Sequence, residues 1–189
     1  HLKLQIHFFC MFSMSLQKNK ADSAGKLLIA LENIESFTGK YIETDALYEG
    51  EAVSFEKGDV LFGKLRPYLS KVYLANTDGV AFGDILVYRA NDFIKSKYAY
   101  RVLSSQEFIK VVDSSTYGTK MPRAAPEFLG DMGFPMPPDD EQTAIVEFLD
   151  QETARVDALI LETERSIELL KEHRSALITA AVTGKIKVV

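Results

Sequence analysis

DDEQTAIVEFLDQETARVDALILETERSIELLKEHRSALITAAVT, residues 139–183, reads as one helix on the order of 44 residues long. At ~1.5 Å rise per residue it makes a rod of roughly 65 Å, longer than a domain of this size is wide, so it reaches beyond its own core. Pro137-Pro138 precede it, Asp139 is expected as N-cap with Gln142 as the capping-box partner, and Asp140 and Glu141 suit the helix dipole. Gly184, then Lys185 and Lys187, mark its end. Leu149, Glu152, Val156, Leu159, Thr163, Ser166, Leu170, His173, Leu177 and Ala180 alternate steps of three and four, with Ile145, Ile160, Ile167 and Ile178 beside them. That is the spacing of a coiled-coil seam. Glu152, Thr163, Ser166 and His173 fall on it, so a broad apolar face is expected rather than a strict zipper. Two readings stand: a terminal helix lying on its own domain, or one that pairs with a partner helix. The length, far above the usual ~11–12 residues, favours the partner.

The 138 residues before it suffice for a domain, and with 47% apolar and 11% aromatic residues overall the 189-residue chain can build a real core. The apolar run Phe8 to Phe12 is too short to span a bilayer, and no signal-peptide pattern is present. A single Cys10 leaves no internal disulfide, which fits a reducing cytoplasm. The net charge of −5 argues against nucleic acid until it is divided along the chain. Residues 1–138 hold 16 Lys and Arg against 16 Asp and Glu, whereas residues 139–189 hold 6 against 11. The globular part is therefore neutral, and any contact with phosphates must come from local clusters of cations.

Residues 1–26 say little by themselves; Lys18, Lys20 and Lys26 among Asn, Ser and Ala suggest a solvated segment, a plain loop more than a binding arm. Leu27 to Leu31 reads as a short buried strand, Thr38-Gly39-Lys40 as a turn, Asp45 to Glu51 as an exposed loop, and Asp59 to Gly63 as a strand. Lys64-Leu65-Arg66-Pro67-Tyr68-Leu69-Ser70-Lys71 packs three cations, a Tyr and a Ser around a proline bend. It is either a loop presenting donors to phosphates or base edges, or a solvated turn. Strands follow at Val72 to Ala75, Val80 to Phe82 and Ile85 to Tyr88, giving a twisted, largely antiparallel or mixed sheet. The period then becomes helical through Ile94, Tyr98 and Val102 and again through Phe108, Ile109 and Val112, with Ser104-Ser105 as the cap between two short helices. The loop Ser114 to Arg123 is rich in hydroxyls with two cations and a glycine, a mixture used at phosphates and also found in plain connections. Three prolines close the domain before the long helix. The fold class is thus α+β, a globular domain over 1–138 followed by a coiled-coil helix over 139–189.

No catalytic residues are expected. His1, His7 and His173 have no second ligand at metal spacing, and no phosphate-binding glycine loop or nucleophile elbow occurs, so neither a metal nor a cofactor is expected.

Three stretches, LENIESFTGKYI (31–42), FEKGDVLFGKLRPYLSKVYLANTDGVAFGDILVYRA (55–90) and SSTYGTK through TGKI (114–186), together resemble the specificity subunit of type I restriction–modification systems. The resemblance runs from Leu27 to Ile186. Its specific marks are the GDVLFGKLRPYL block and the PP-x-x-EQ-x-x-I-x-x-FLD entry into the long helix. Phe82-Gly83-Asp84 departs from it, standing where a Ser-Thr-Glu-like turn is expected.

The resemblance implies a non-catalytic subunit whose target recognition domain reads half of a bipartite double-stranded DNA sequence. It also implies a spacer helix that pairs antiparallel with a second one, and docking of a methyltransferase subunit that a restriction subunit can join. Carried onto this chain, 1–138 is one target recognition domain and 139–189 one spacer helix. The chain is then either a half-length subunit that pairs with a copy of itself or part of a longer one. The expected DNA-contacting residues are Lys64, Arg66, Tyr68 and Lys71 with Ser115, Thr116, Tyr117, Thr119, Lys120 and Arg123. Arg66 and Arg123 are the candidates for bidentate contact with guanine. The expected helix-pairing residues are Ile145, Leu149, Val156, Leu159, Ile160, Ile167, Leu170, Leu177 and Ile178. The alternative is a coiled-coil interaction protein or decoy that binds the methyltransferase without reading DNA.

Overall fold

A computed structural model describes residues 8–10, 14–17, 26–45, 52–118 and 120–187. Two compact units make up the chain, His1–Val146 and Glu147–Val189. In the first unit the apolar runs become strands β1 (Phe8–Cys10), β2 (Met14–Leu16), β3 (Leu27–Ile29), β4 (Ala52–Phe55), β5 (Val60–Gly63), β6 (Val72–Leu74), β7 (Gly79–Phe82) and β8 (Ile85–Ala90). Helices α1 (Ser96–Leu103), α2 (Gln106–Ser114) and α3 (Pro126–Asp131), strand β9 (Gly133–Pro135) and helix α4 (Asp139–Val182) follow.

The strands form three sheets. The largest has the order β2-β8-β5-β6 and is antiparallel throughout. The second, β3-β7-β4, is mixed, because β3 runs parallel and β4 antiparallel to β7. The third is the antiparallel pair β1-β9. Strand β5 explains how the layers meet. Its side chains alternate between faces, as any strand's must. Val60 and Phe62 therefore enter one core with Leu86, Tyr88 and the helical residues Tyr98, Leu103, Phe108 and Val112. Leu61 enters the other with Ile29, Ile34, Phe55, Ile85 and Val87. Both faces of the central sheet are thus covered, helices on one and the mixed sheet on the other, which is why β5 and β8 read as continuous apolar runs. The rings of Phe62 and Phe108 meet edge to face, their centroids 6.1 Å apart.

The fold class is α+β, as expected, and most elements lie where the sequence puts them. Ser105 caps helix α2, its hydroxyl accepting the Phe108 N–H at 3.4 Å. Several elements differ. Strand β3 stops at Ile29, because the Ala30 N–H turns to the Asn33 side-chain oxygen at 2.9 Å and the chain enters a 3₁₀ turn at Leu31–Asn33. Strands β1 and β2 form in residues 8–16, where the sequence announces no element, and α3 and β9 form in and just before the proline-rich stretch that closes the domain. Residues 46–51 of the expected acidic loop lie outside the described residues.

The entry of α4 is also built differently from a capping box. Asp139 lies inside the helix, pairing with Lys95 at 2.9 Å, and the Gln142 N–H reaches the Pro138 carbonyl at 2.9 Å. The Gln142 side chain, 1% exposed, donates to the carbonyls of Pro137 (2.9 Å) and Phe93 (3.0 Å) and accepts the Lys95 N–H at 2.9 Å. It therefore ties the first helical turn to the start of α1. The far end closes as expected: Gly184 adopts φ 72°, its N–H bonds to Ala181, and the Lys185 N–H returns to Ala180 at 2.8 Å. These two bonds form a Schellman motif.

Candidate functional site

The loop of residues 64–71 is held in a conformation that side chains resist. Arg66 (φ 51°) and Ser70 (φ 46°) are left-handed on either side of a single 3₁₀ turn, Pro67–Leu69. Phe37, left-handed too at φ 67°, sends its N–H to the carbonyls of Leu69 and Ser70, 3.3 Å each. Each such residue costs on the order of 1–3 kcal/mol, and clustered strain of this kind is held by its surroundings. Here a cavity of about 400 Å³ opens between the loop and α2, lined among others by Phe37, Tyr68, Ile109 and Asp113. The Ser70 hydroxyl is buried there without a hydrogen-bond partner.

The second loop is laced to the first through the backbone. Ala124 N–H bonds to the Lys64 carbonyl at 2.9 Å, Arg66 N–H to the Pro122 carbonyl at 2.8 Å, and Tyr117 and Arg123 exchange both their backbone bonds at 3.3 and 3.1 Å. Residues 64–66 and 122–124 thus form a short antiparallel ladder, bridged between Leu65 and Arg123. Side chains close it at Asp84. The Arg123 guanidinium forks onto that carboxylate, Nη2 to Oδ2 2.9 Å and Nε to Oδ1 3.2 Å, while Lys64 Nζ approaches Oδ1 to 3.6 Å. The Asp84 carboxylate raises the Arg123 pKa above its ordinary value, first through the hydrogen bond and then through its charge.

The expected residues therefore divide. Arg66 and Lys120 are exposed, as are Tyr68 (46%) and Tyr117 (62%). Lys64 and Arg123 share Asp84. Lys71 Nζ donates to the Leu31 carbonyl at 2.6 Å, which anchors the loop's end to the mixed-sheet side of the domain. Ser115 and Thr116 donate their hydroxyls to the Val112 and Asp113 carbonyls at 2.7 and 2.8 Å, closing the end of α2. Thr119 lies outside the described residues. Phe37 and Asp84 were not foreseen. The positive φ of Phe37 leaves no trace in its residue type, and Asp84 next to Gly83 reads as an ordinary turn.

Among the described residues no set of side chains could hold a metal ion, and no helix is long and apolar enough to cross a membrane.

In the second unit, Val156, Leu159, Ile160, Ile167, Leu170, Leu177 and Ile178 are all 46–67% exposed. These side chains leave an apolar stripe of α4 exposed. The hydroxyls on the seam do not interrupt it electrostatically, since Thr163 donates to the Leu159 carbonyl (2.7 Å) and Ser166 to the Glu162 carbonyl (3.0 Å) one turn back. In the first unit Ile145 packs instead against the helical core, next to the buried Val146, and Leu149, just past that unit, is half-buried.

A family model described as the type I restriction modification DNA specificity domain matches residues 11–170. The type I restriction enzyme EcoDI specificity subunit of Escherichia coli is 25% identical over 173 residues, 89% of this chain and 38% of that protein. The EcoBI specificity subunit of Escherichia coli is 30% identical over 95 residues, 50% of this chain and 20% of that protein. The chain thus spans well under half the length of these curated relatives. The HsdS subunit from Thermoanaerobacter tengcongensis shares the fold with a TM-score of 0.67 at 22% identity, over 89% of this chain and 48% of that one. A chain from a structural study of complex assembly and conformational transition of the type I R-M system superposes with a TM-score of 0.73 at 21% identity, over 94% and 50%.

Proposed function

This chain belongs to the type I restriction–modification DNA specificity domain family, and from that membership we propose that it reads one half of a bipartite duplex DNA target and docks a methyltransferase subunit there. The observation that carries the reading is the pair of laced loops. Family membership supplies the ligand class, and the loops supply a rigid surface with exposed Arg66, Tyr68, Tyr117 and Lys120. Arginine suits guanine edges, lysine suits phosphates, and aromatic rings stack on or pack against bases and sugars. The chain works by recognition and has no catalysis of its own; cleavage and methylation belong to the restriction and methyltransferase subunits of the assembled complex. That assembly would act in the cytoplasm, where the DNA is.

Residues 1–138 form the target recognition domain in this reading and residues 139–189 the spacer. The apolar face of α4 pairs antiparallel with the same helix of a second copy or of a second half-subunit. Two-fold pairing of identical copies favours an inverted repeat with a gap. The experiment is fluorescence anisotropy on labelled duplex DNA between 50 and 200 mM salt, with the chain alone and then with its methyltransferase subunit. Salt-dependent binding with a sequence preference is the expected result; absence of binding in both states would refute the reading. One observation favours a second reading, a decoy that occupies the methyltransferase without DNA. Residues 1–138 are electrically neutral, and two of their loop cations are held by Asp84. Methyltransferase binding without any DNA affinity would establish it.

A further inference from the structure

Asp84 sits where the two loops meet and faces both of their paired cations. Its backbone carbonyl accepts the Lys64 N–H at 2.9 Å, and its carboxylate takes the Arg123 fork on one side and Lys64 Nζ on the other. The carboxylate is 21% exposed, and the two cationic side chains 27% and 36%, so solvent screens the group only in part. One negative charge against two positive ones leaves a single net charge at this point of the surface.

Building on the DNA-recognition reading above, we propose that Asp84 is a positioning residue that fixes the register of the loops 64–71 and 115–123 and masks two of their cations, so that recognition falls to the exposed ones. Two uncompensated cations would attract any phosphate and leave both loops free to follow it. The carboxylate makes the surface less adhesive and more rigid, and in this way trades affinity for all DNA against discrimination among sequences. Arg123 therefore acts through Asp84 and the ladder, and Arg66 is left as the guanidinium that reaches bases.

The test compares the wild-type chain with Asp84→Asn on a randomised duplex library, which reads sequence preference, and on one unrelated duplex titrated with salt. Asp84→Asn is expected to bind the unrelated duplex more tightly, to steepen log K against log salt by about one unit, and to lose about tenfold or more in discrimination. Unchanged slope and preference would overturn the proposal, and so would equal loss of all DNA binding without a steeper slope, the mark of a merely structural residue. If Asp84→Asn lacks the near-UV circular dichroism of the folded chain, Arg123→Lys decides, since it keeps the charge but cannot fork. Lost discrimination at an unchanged slope supports the proposal, and retained discrimination overturns it. Wild-type protein that binds no duplex sinks the DNA reading and this proposal together, whereas wild-type binding with wild-type-like variants sinks only the role of Asp84.

Discussion

The side-chain oxygen of Gln142 accepts the backbone N–H of Lys95 at 2.9 Å across 47 residues of sequence, while its amide nitrogen donates to Phe93 and Pro137. One nearly buried amide thus satisfies three backbone groups at the helix entry. Gln142→Ala removes all three bonds, and each group left buried without a partner costs about 1–3 kcal/mol. We expect a loss of about 3 kcal/mol in the first unit, seen as a lower urea midpoint. A midpoint within experimental error of wild type would show that the three groups find other partners.

Asp59 and Arg89 should respond unequally. Asp59 is 2% exposed and holds the Arg89 fork at 2.8 Å for both bonds, as well as the Glu56 N–H at 2.8 Å. Arg89 is a third exposed and can turn to water; its pKa is raised, first by the hydrogen bond to Asp59, which outweighs the lowering by burial. Removing the arginine strands a buried carboxylate, whereas neutralising the carboxylate leaves a cation that keeps Glu56 at 3.0 Å and can be rehydrated. Arg89→Met is expected to cost about 3–5 kcal/mol and Asp59→Asn distinctly less. Denaturant unfolding of both variants checks the order, and the reverse order would contradict it.

Tyr88 provides a pH dependence. Burial, and secondarily the charge of Glu127, raises the pKa of its phenol well above the ordinary 10.0, and the hydroxyl has no hydrogen-bond partner. Above pH ~10 the unfolded chain releases this proton while the folded chain retains it. The contribution is therefore whole below that pH and is lost as pH rises beyond it. Tyr88→Phe is expected to leave stability at pH 7 unchanged or raised by about 1 kcal/mol and to lose less than wild type on going to about pH 10.5. Tyr73 and Tyr98 are raised in the same direction, so part of the alkaline loss persists. Equal losses in the two proteins would remove Tyr88 as a cause.

Arg66→Gln is expected to reduce the salt slope by about one unit and to relax the preference at one base position by about 1–3 kcal/mol. The same library and titration serve. A loss of affinity spread evenly over all sequences would assign Arg66 to a phosphate.

Leu159→Glu with Leu170→Glu places two carboxylates on the exposed face of α4. If two copies pair through that face, light scattering moves from twice the 21.2 kDa chain mass toward a single one, with helicity kept. An unaltered mass would assign self-association to another surface.

The sequence made local order visible and distant order not. Helices α1, α2 and α4 are long or strongly periodic and strands β5 and β8 are continuous apolar runs, so each was legible from its own residues. Helix α3 spans only Pro126–Asp131, too short for a period, and β1 and β9 are three-residue strands that exist because they find each other across the chain. The same distinction governs the candidate site. The loop 64–71 was legible as a cationic bend, but Arg123 meets Asp84 across 39 residues, and no spacing announces such a pair. Gln142 was read as a capping partner because local sequence offers only local partners.

Leu61 and Phe62 are neighbours in β5 that commit to opposite cores. A slip of the strand by a single residue would exchange them and put a misfitting side chain into both cores together. Neither half of the first unit can therefore melt while the other keeps its strand, and the unit is expected to unfold in one transition. A weakening substitution at Ile29 or Val87 would then lower the temperature at which α1 and α2 unravel, even though those helices pack on the other side of the sheet.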